Sequence, residues 1–430
     1  MSELVILLGL SLAKVVVIVL GFVMVLATVL TWAERRQSAM IQNRVGPNTA
    51  NIGPFKMAGL FHPIADAIKT LMKEDVIPDG VDKVLHTLAP FIALFPVMAA
   101  FAVVPFGEVW CDGTVSVAAG RDVCTDGKVW NLFQIADLHV GILYIFAISS
   151  IGVYGVVLAG WASRSKFPLM GGLRAGAQMI SYEVTLGLSV IGVLMVFSSV
   201  GLQELVRGQG DLLWGWLPKW GLFVQPLGAA LFFAAGMAET KRAPFDMPEA
   251  ESELVAGYFT EYSSLKFAMF SLGEFIEVVL LACVFATLFL GGWQVPWLRA
   301  DGFHFPNEWV GPAIAGLMVL IGITGMLGAV SRKTGLLAVF VAPMLILGLL
   351  LLWAVNEFSP NHLIAVPYWA VHGLRIGSAI TKILFLCWLQ LMFRWTLPRF
   401  RYDQVMRLTW RYILPLSLLN ILITGVVLVA

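Results

Sequence analysis

The sequence predicts an all-α protein: a polytopic transmembrane helix bundle of about ten spans, with an amphipathic surface helix and an acidic cytoplasmic loop. Three observations predict it. Of 430 residues, 59% are hydrophobic and 13% charged, whereas soluble domains have about 45–50% apolar and about 25% charged residues. Ten apolar stretches are long enough to cross the hydrocarbon core, which takes about 20 helical residues. Lysine and arginine are spread unevenly over the loops between them.

The first stretch, 4–32, has no basic n-region before it and no small-residue cleavage site after it. It reads as a retained membrane helix rather than a secretory signal, with length to spare for tilt. The second, 88–106, contains Pro90 and Pro96, which membrane helices tolerate when neighbours satisfy the freed carbonyls. The remaining stretches are 139–160, 180–200, 222–238, 267–290, 310–330, 336–355, 376–393 and 413–430. Ten spans return both termini to one side. The loops at 33–87, 161–179, 239–266, 330–335 and 394–412 hold 20 of the 28 Lys and Arg residues. The opposite loops hold Arg121, Lys128, Arg207, Lys219, Arg299 and Arg375, while Lys14 and Lys382 fall inside spans. By the positive-inside rule the basic loops are cytoplasmic and both termini face outward. No repeat and no Gly/Ser linker divides the chain, so residues 1–430 read as one membrane domain. A net charge of +1 gives no ground for a nucleic-acid partner; membrane lipids are the expected surroundings.

The four cysteines form no C-x-x-C pair, which argues against an iron–sulfur cluster or structural zinc on this chain. Cys111 and Cys124 share the outward loop 107–138, in a compartment that permits disulfides. Either they pair, closing a loop worth about 3 kcal/mol, or they remain two thiols. His62, His86, His139, His304, His362 and His372 show no haem-ligating pair inside a span. There is no P-loop, no G-x-G-x-x-G after a strand and no nucleophile elbow. The chain itself is expected to carry no metal, redox centre or nucleotide.

The chemistry concentrates in the basic loops. In 33–87, Phe61, Ile64, Ile68, Leu71 and Met72 recur on one helical face, and Asp66, Lys69, Thr70 and Lys73 on the other. A helix so short and so charged lies along the membrane surface. It is either a simple anchor or the lip of a cavity for a lipid-like ligand. Loop 239–266 carries five carboxylates between 246 and 261, and Asp246, Glu249 and Glu253 are spaced i, i+3, i+7 for one helical face. Such a cluster is either a solvated loop or a set of groups that share protons. Glu34, Glu183, Glu239, Glu274, Glu277 and Lys382 sit within or at the edges of spans. Ionised groups there cost a few kcal/mol unless they face water or a partner, and Glu274 and Glu277 share a face at i, i+3.

Seven segments, in order, resemble one family. They are Glu34-Arg35-Arg36, Asn43-Arg44-Val45-Gly46-Pro47-Asn48, Ala65-Asp66-Ala67-Ile68-Lys69 to Lys73-Glu74-Asp75, Ser181-Tyr182-Glu183, Pro244-Phe245-Asp246-Met247-Pro248-Glu249-Ala250-Glu251-Ser252-Glu253-Leu254, Phe289-Leu290-Gly291-Gly292-Trp293 and Leu397-Pro398-Arg399-Phe400-Arg401-Tyr402-Asp403-Gln404. The family so resembled is the membrane subunit of bacterial NADH–quinone oxidoreductase, respiratory complex I, that lies under the peripheral arm. The match covers most of the chain. It departs at the long outward loop near 108–129 and at 300–375, where a two-span insertion joins a family that normally has eight spans. The resemblance implies a translocase subunit of the bacterial inner membrane, partnered by other membrane and peripheral-arm subunits. Quinone is the implied substrate, with the iron–sulfur donor and flavin on partner chains. By position, Arg35, Arg36, Asp66 and Lys69, with Phe61, would line the mouth through which quinone enters. Arg242, Phe245 and Asp246 would bound the chamber, and Arg394, Arg399 and Arg401 would flank it or clamp the peripheral arm. Glu34, Glu183, Asp246, Glu249, Glu251 and Glu253 would form an acidic funnel to the proton-pumping subunits. The membrane subunit of a proton-reducing hydrogenase, a secondary transporter and a structural anchor are the competing readings.

Overall fold

The computed structural model describes residues 2–51, 53, 57–118, 121–248, 251–304, 316, 319, 320, 323 and 363–429. In chain order its main helices are α1 (Gly9–Ile41), α2 (His62–Met72), α3 (Lys83–Val103), α4 (Gly141–Ala162), α5 (Lys166–Phe197), α6 (Pro226–Glu239), α7 (Ser264–Phe289), α8 (Tyr368–Thr396) and α9 (Tyr402–Val429). All but α2 and α6 are long and apolar enough to cross a membrane, seven among the described residues; α6 is equally apolar but shorter. The spans expected at 310–330 and 336–355 lie outside the described residues but for four positions.

Helix ends differ from the apolar stretches for a physical reason. α1 runs nine residues past its expected end at 32 because Ala33 to Ala39 suit a helix and Glu34 finds arginine partners instead of water. α5 begins at Lys166 rather than 180, since the helix continues beyond its most apolar part through Gly171, Gly172 and Ala175. At the start of α3, Asp82 caps Val84 N and Leu85 N at 3.1 and 3.2 Å.

α7 forms the axis of the bundle. Its apolar stretch is 89% buried, against 28% for α1 and 22% for α9, which therefore lie at the rim. Phe275, Ile276, Val279, Cys283 and Phe289 of α7 pack into a core shared with α1, α3, α6 and α8. Gly171 on α5 admits the backbone of the loop before α7: a Cβ there would sit 2.7 Å from Tyr258 N.

Short antiparallel strands gather at one end. β1 (Trp110–Cys111) pairs with β4 (Val129–Trp130), and β2 (Thr114–Ala118) with β3 (Arg121–Asp126). A disulfide joins Cys111 to Cys124, 13 residues apart. β5 (Leu212–Leu213) pairs with β6 (Leu217–Pro218). A three-stranded sheet combines β7 (Leu298–Arg299), β8 (Gly302–His304) and β9 (Leu363–Ala365), with Phe303 opposite Ile364. The chain thus leaves after His304 and returns at Leu363 side by side.

Long-range contacts sort the loops between two ends. Val76 N to Ser263 Oγ (2.8 Å), Arg174 to Glu253 (2.6 Å) and Phe400 N to Pro244 O (3.2 Å) join 33–87, 161–179, 239–266 and 394–412. Ala300 N to Asp122 (3.1 Å) and Tyr368 OH to Cys111 N (3.0 Å) join the disulfide loop, the β7 region and the start of α8 at the other. Reducing the disulfide should cost the β1–β4 region about 3 kcal/mol. Protease added at that face is then expected to cut 107–130 first in the reduced protein or in Cys124→Ser. An unchanged digestion order would contradict this.

A buried ion network and its adjoining cavity

Four elements bring charge together at the basic end. α1 presents Glu34, the turn after α6 supplies Lys241 and Arg242, α7 presents Glu274 and Glu277 one turn apart, and the last turn of α8 supplies Arg394. Glu34 Oε2 accepts from Arg242 Nη1 at 2.5 Å, and its Oε1 lies 2.6 Å from Arg394 Nη1. Arg242 also reaches Glu274 Oε2 at 3.6 Å, and its guanidinium lies 3.7 Å from the centroid of the Phe275 ring. Tyr258 OH donates to Glu274 Oε1 at 3.0 Å, and Lys241 Nζ to Glu277 Oε1 at 3.3 Å. Side chains of Arg242 and Glu274 are 8% exposed and Lys241 4%. Desolvating charges costs several kcal/mol per ion, and only close pairing with further hydrogen bonds offsets it.

Beside this network lies a cavity of about 50 Å³ between α3, α4, α5, α6 and α7. Glu239, Thr240, Glu277 and Ser149 supply its polar wall, and Val97, Phe232 and Leu281 belong to its apolar one. Most of its lining is apolar, and the polar partners that an ordered water needs are confined to the wall of Glu239, Thr240, Glu277 and Ser149.

The segment after Arg242 is pinned from three sides. Gln178 Nε2 on α5 donates to Ala238 O (2.7 Å) and Phe245 O (2.8 Å). Phe245 packs between Tyr182 and Phe400, with ring centroids 5.8 and 5.6 Å away. Arg399 pairs with Asp246. Burial pushes the Asp246 carboxyl up to about 6 although Arg399 favours its charged form. Asp246 and Glu253 do not share the helical face expected of them. Pro244 and Pro248 interrupt the backbone, and among the described residues the α-helix of that segment is confined to Glu251–Leu254. Asp246 turns inward to Arg399, while Glu253 turns to Arg174 on α5, at 2.6 Å.

The other expected site residues fall into separate places. Arg35 Nη1 meets Asp66 Oδ2 at 2.7 Å, both about half exposed, at the junction of α1 and α2. Arg36 lies against the Gly46 turn, its Nε buried. Gly59, at φ +87°, lies where a Cβ would strike Pro47 O, so only glycine lets that turn dock. Phe61 is half-buried at the start of α2, and Lys69 is exposed. No residue of α2 is buried, and Ile64, Ile68 and Leu71 point outward. Glu183 is half-buried on α5. Glu249 and the side chain of Glu251 lie outside the described residues. Thus Glu34, Arg242, Phe245, Asp246 and Arg394 converge, whereas Arg35, Phe61, Asp66 and Lys69 form a separate edge.

Sequence reasoning missed Lys241, Gln178, Tyr258 and Arg174 as partners. Lys241 carried a signal, as one of two adjacent cations two residues after a carboxylate, Glu239, at a span end. The others are single polar residues whose partners lie between 16 and 79 positions away.

Fold and site together define a polytopic helical membrane protein that gathers paired ions at one end of its bundle. The family model for NADH dehydrogenase matches residues 13–425. An NADH-quinone oxidoreductase subunit of Solibacter usitatus is 39% identical over 96% of each chain. Its Geobacter sulfurreducens counterpart is 38% identical over 97% of this chain and 94% of its own. That of Bdellovibrio bacteriovorus is 37% identical over 96% and 94%. The chain belongs to the NADH dehydrogenase family, as a membrane subunit of the NADH-quinone oxidoreductase kind. These relatives match this chain nearly end to end, so their length is close to its own and 300–375 is not peculiar to it.

Proposed function

We propose that this chain forms part of the chamber in which quinone is reduced, and carries protons from that chamber toward neighbouring pumping subunits through its buried carboxylates. The observation that supports this best is the chain of contacts Arg394–Glu34–Arg242–Glu274, continued by Lys241–Glu277 to the cavity faced by Glu239. Quinone reduction takes up two protons and passes through anionic species. Arginines in a dry site stabilise developing negative charge without reorganising. Any change of charge at Arg242 or Arg394 is felt at Glu34 and Glu274 through direct contact. Water in the cavity then links Glu277 and Glu239 into one exchanging unit.

In this reading the α1–α2 edge, with Arg35, Arg36, Phe61, Asp66 and Lys69, is the mouth for the lipid-soluble substrate. Glu183, Glu249, Glu251 and Glu253 extend the acidic path. Electrons arrive from an iron–sulfur centre on a partner chain, and other complex I subunits cover the basic end. The basic loops face the cytoplasm of a bacterial inner membrane, with both termini outside. The relatives are named as quinone oxidoreductase subunits, which favours this reading over a hydrogenase subunit.

The test uses the intact complex in proteoliposomes. Glu277→Gln and Glu239→Gln are each expected to lower proton pumping about tenfold or more, as loss of a proton-transfer group does. Wild-type pumping and quinone reduction in both variants would end the proposal.

A further inference from the structure

The β5–β6 hairpin stands at the opposite end of the bundle from the ion network. Leu212, at its start, lines a cavity with Glu108 of the disulfide loop, Leu298 of β7 and Arg375 of α8. Its residues, Leu212-Leu213-Trp214-Gly215-Trp216-Leu217-Pro218, carry no charge, and Asp211 and Lys219 flank them. Lys219 N donates to Asp211 O at 2.8 Å and closes the ladder below the Leu212–Pro218 pair. Toward the tip the apolar side chains turn outward: Leu212 is 36% exposed, Trp216 54% and Trp214 80%. Trp214 holds φ at +54°, a left-handed backbone that bulky residues rarely adopt. The hairpin thus accepts an unfavourable backbone at the residue whose ring it covers least.

The ends of two spans fix the level of the hairpin base. Lys219 Nζ lies 5.5 Å from the ring centroid of Phe197, the last residue of α5. Gly221 packs on the last turn of α7, where a Cβ would sit 2.3 Å from Leu288 O. At about 3.3 Å per residue, the arm from Lys219 to Gly215 reaches about 13 Å at most. The tip therefore stays within reach of the interfacial layer, which is about 5–8 Å deep on each side of the hydrocarbon. Trp369, 72% exposed, stands in the first turn of α8 at the same end. Tryptophans at span ends settle among lipid headgroups, with the ring in the apolar layer and the N–H toward water. A protein docking site carries a polar rim, whereas the side chains of 212–218 offer only two indole N–H groups.

We propose that the β5–β6 hairpin is a lipid anchor, its tip lying over the bundle edge with Trp214 and Trp216 inserted into the leaflet at that end. The surface it takes is a phospholipid interface without selection for headgroup charge, since no cation lies between Leu212 and Pro218. Asp211 and Lys219 mark the wet side of the insertion.

The test places a nitroxide label at Trp214→Cys, and separately at Trp216→Cys, in the intact complex reconstituted into phosphatidylcholine vesicles. Cys111 and Cys124 are joined and Cys283 and Cys387 are buried, so the introduced thiol is the one that reacts on this chain. The signal of the wild-type complex treated with the same label is subtracted. Each label is expected to be relaxed more by dissolved oxygen than by an aqueous nickel chelate. It should report a depth of about 5–10 Å below the phosphates, where apolar interfacial segments sit. That depth should not change when phosphatidylglycerol replaces part of the phosphatidylcholine, and quinone reduction should be unchanged in both variants. Labels open to the nickel chelate would put the hairpin in water and overturn the proposal. Labels reached by neither reagent would put it under another subunit, and insertion seen only with phosphatidylglycerol would make it a charge-selective site; each outcome also overturns the proposal.

Discussion

Arg242→Met is expected to strand Glu274 beside a single neutral donor, Tyr258, while Glu34 retains Arg394. Removing one member of a buried ion pair costs about 3–5 kcal/mol, much of it from the charge left behind. The purified complex should therefore melt several degrees lower, and quinone reduction should fall about tenfold or more. A second variant separates structure from function. Replacing a buried pair by apolar groups of like volume is often neutral or stabilising. Arg242→Met combined with Glu274→Met should thus regain most of the lost thermal stability without regaining turnover. Recovery of turnover in the double variant would make the network scaffolding only.

Asp246 should impose a pH dependence on the same end of the protein. Its folded-state value of about 6 lies above the ordinary 3.8 because burial outweighs the attraction of Arg399. A raised carboxyl favours the protonated folded state. Its contribution to stability is complete below about pH 3.8 and is lost as pH rises through about 6. The ion pair with Arg399 runs in the opposite direction, since it needs the carboxylate. Lowering pH from about 7 to about 5.5 protonates Asp246 and loosens the hold of Arg399 on the segment that seats Phe245. Wild-type quinone reduction is expected to fall severalfold across that interval, with a midpoint near 6. Asp246→Asn should be low at neutral pH and nearly flat. An asparagine variant that kept the wild-type midpoint would place the titration elsewhere.

Seven membrane spans were legible because a helix crossing hydrocarbon must be apolar for about 20 residues, whatever it packs against, while the stretch expected at 222–238 forms the shorter helix Pro226–Glu239. Their ends were not, because tertiary partners decide them. Glu34-Arg35-Arg36 looked like the start of a loop, yet α1 runs on to Ile41 with Glu34 held by two arginines. Arg375 looked like a loop cation, yet it lies inside α8 and is nearly inaccessible, since two carboxylates from the disulfide loop meet it there. Within the site, the i, i+3 spacing of Glu274 and Glu277 was readable because a long apolar helix keeps its period. The spacing of Asp246 and Glu253 misled, because two prolines keep Asp246 out of the short helix Glu251–Leu254 that carries Glu253. Pairs such as Lys241–Glu277 and Arg174–Glu253 join distant parts of the chain. No local pattern encodes them.

The adjacency of β8 and β9 has an evolutionary corollary. Where a chain exits and re-enters through neighbouring rungs of one ladder, the polypeptide between them behaves as a cassette. It can be gained, lengthened or excised without rethreading any helix, because a tight turn between His304 and Leu363 would close the same register. A lineage could therefore tailor this flank to a new companion while the ion network of Glu34, Arg242 and Glu274, at the far end of the bundle, stays under its own selection.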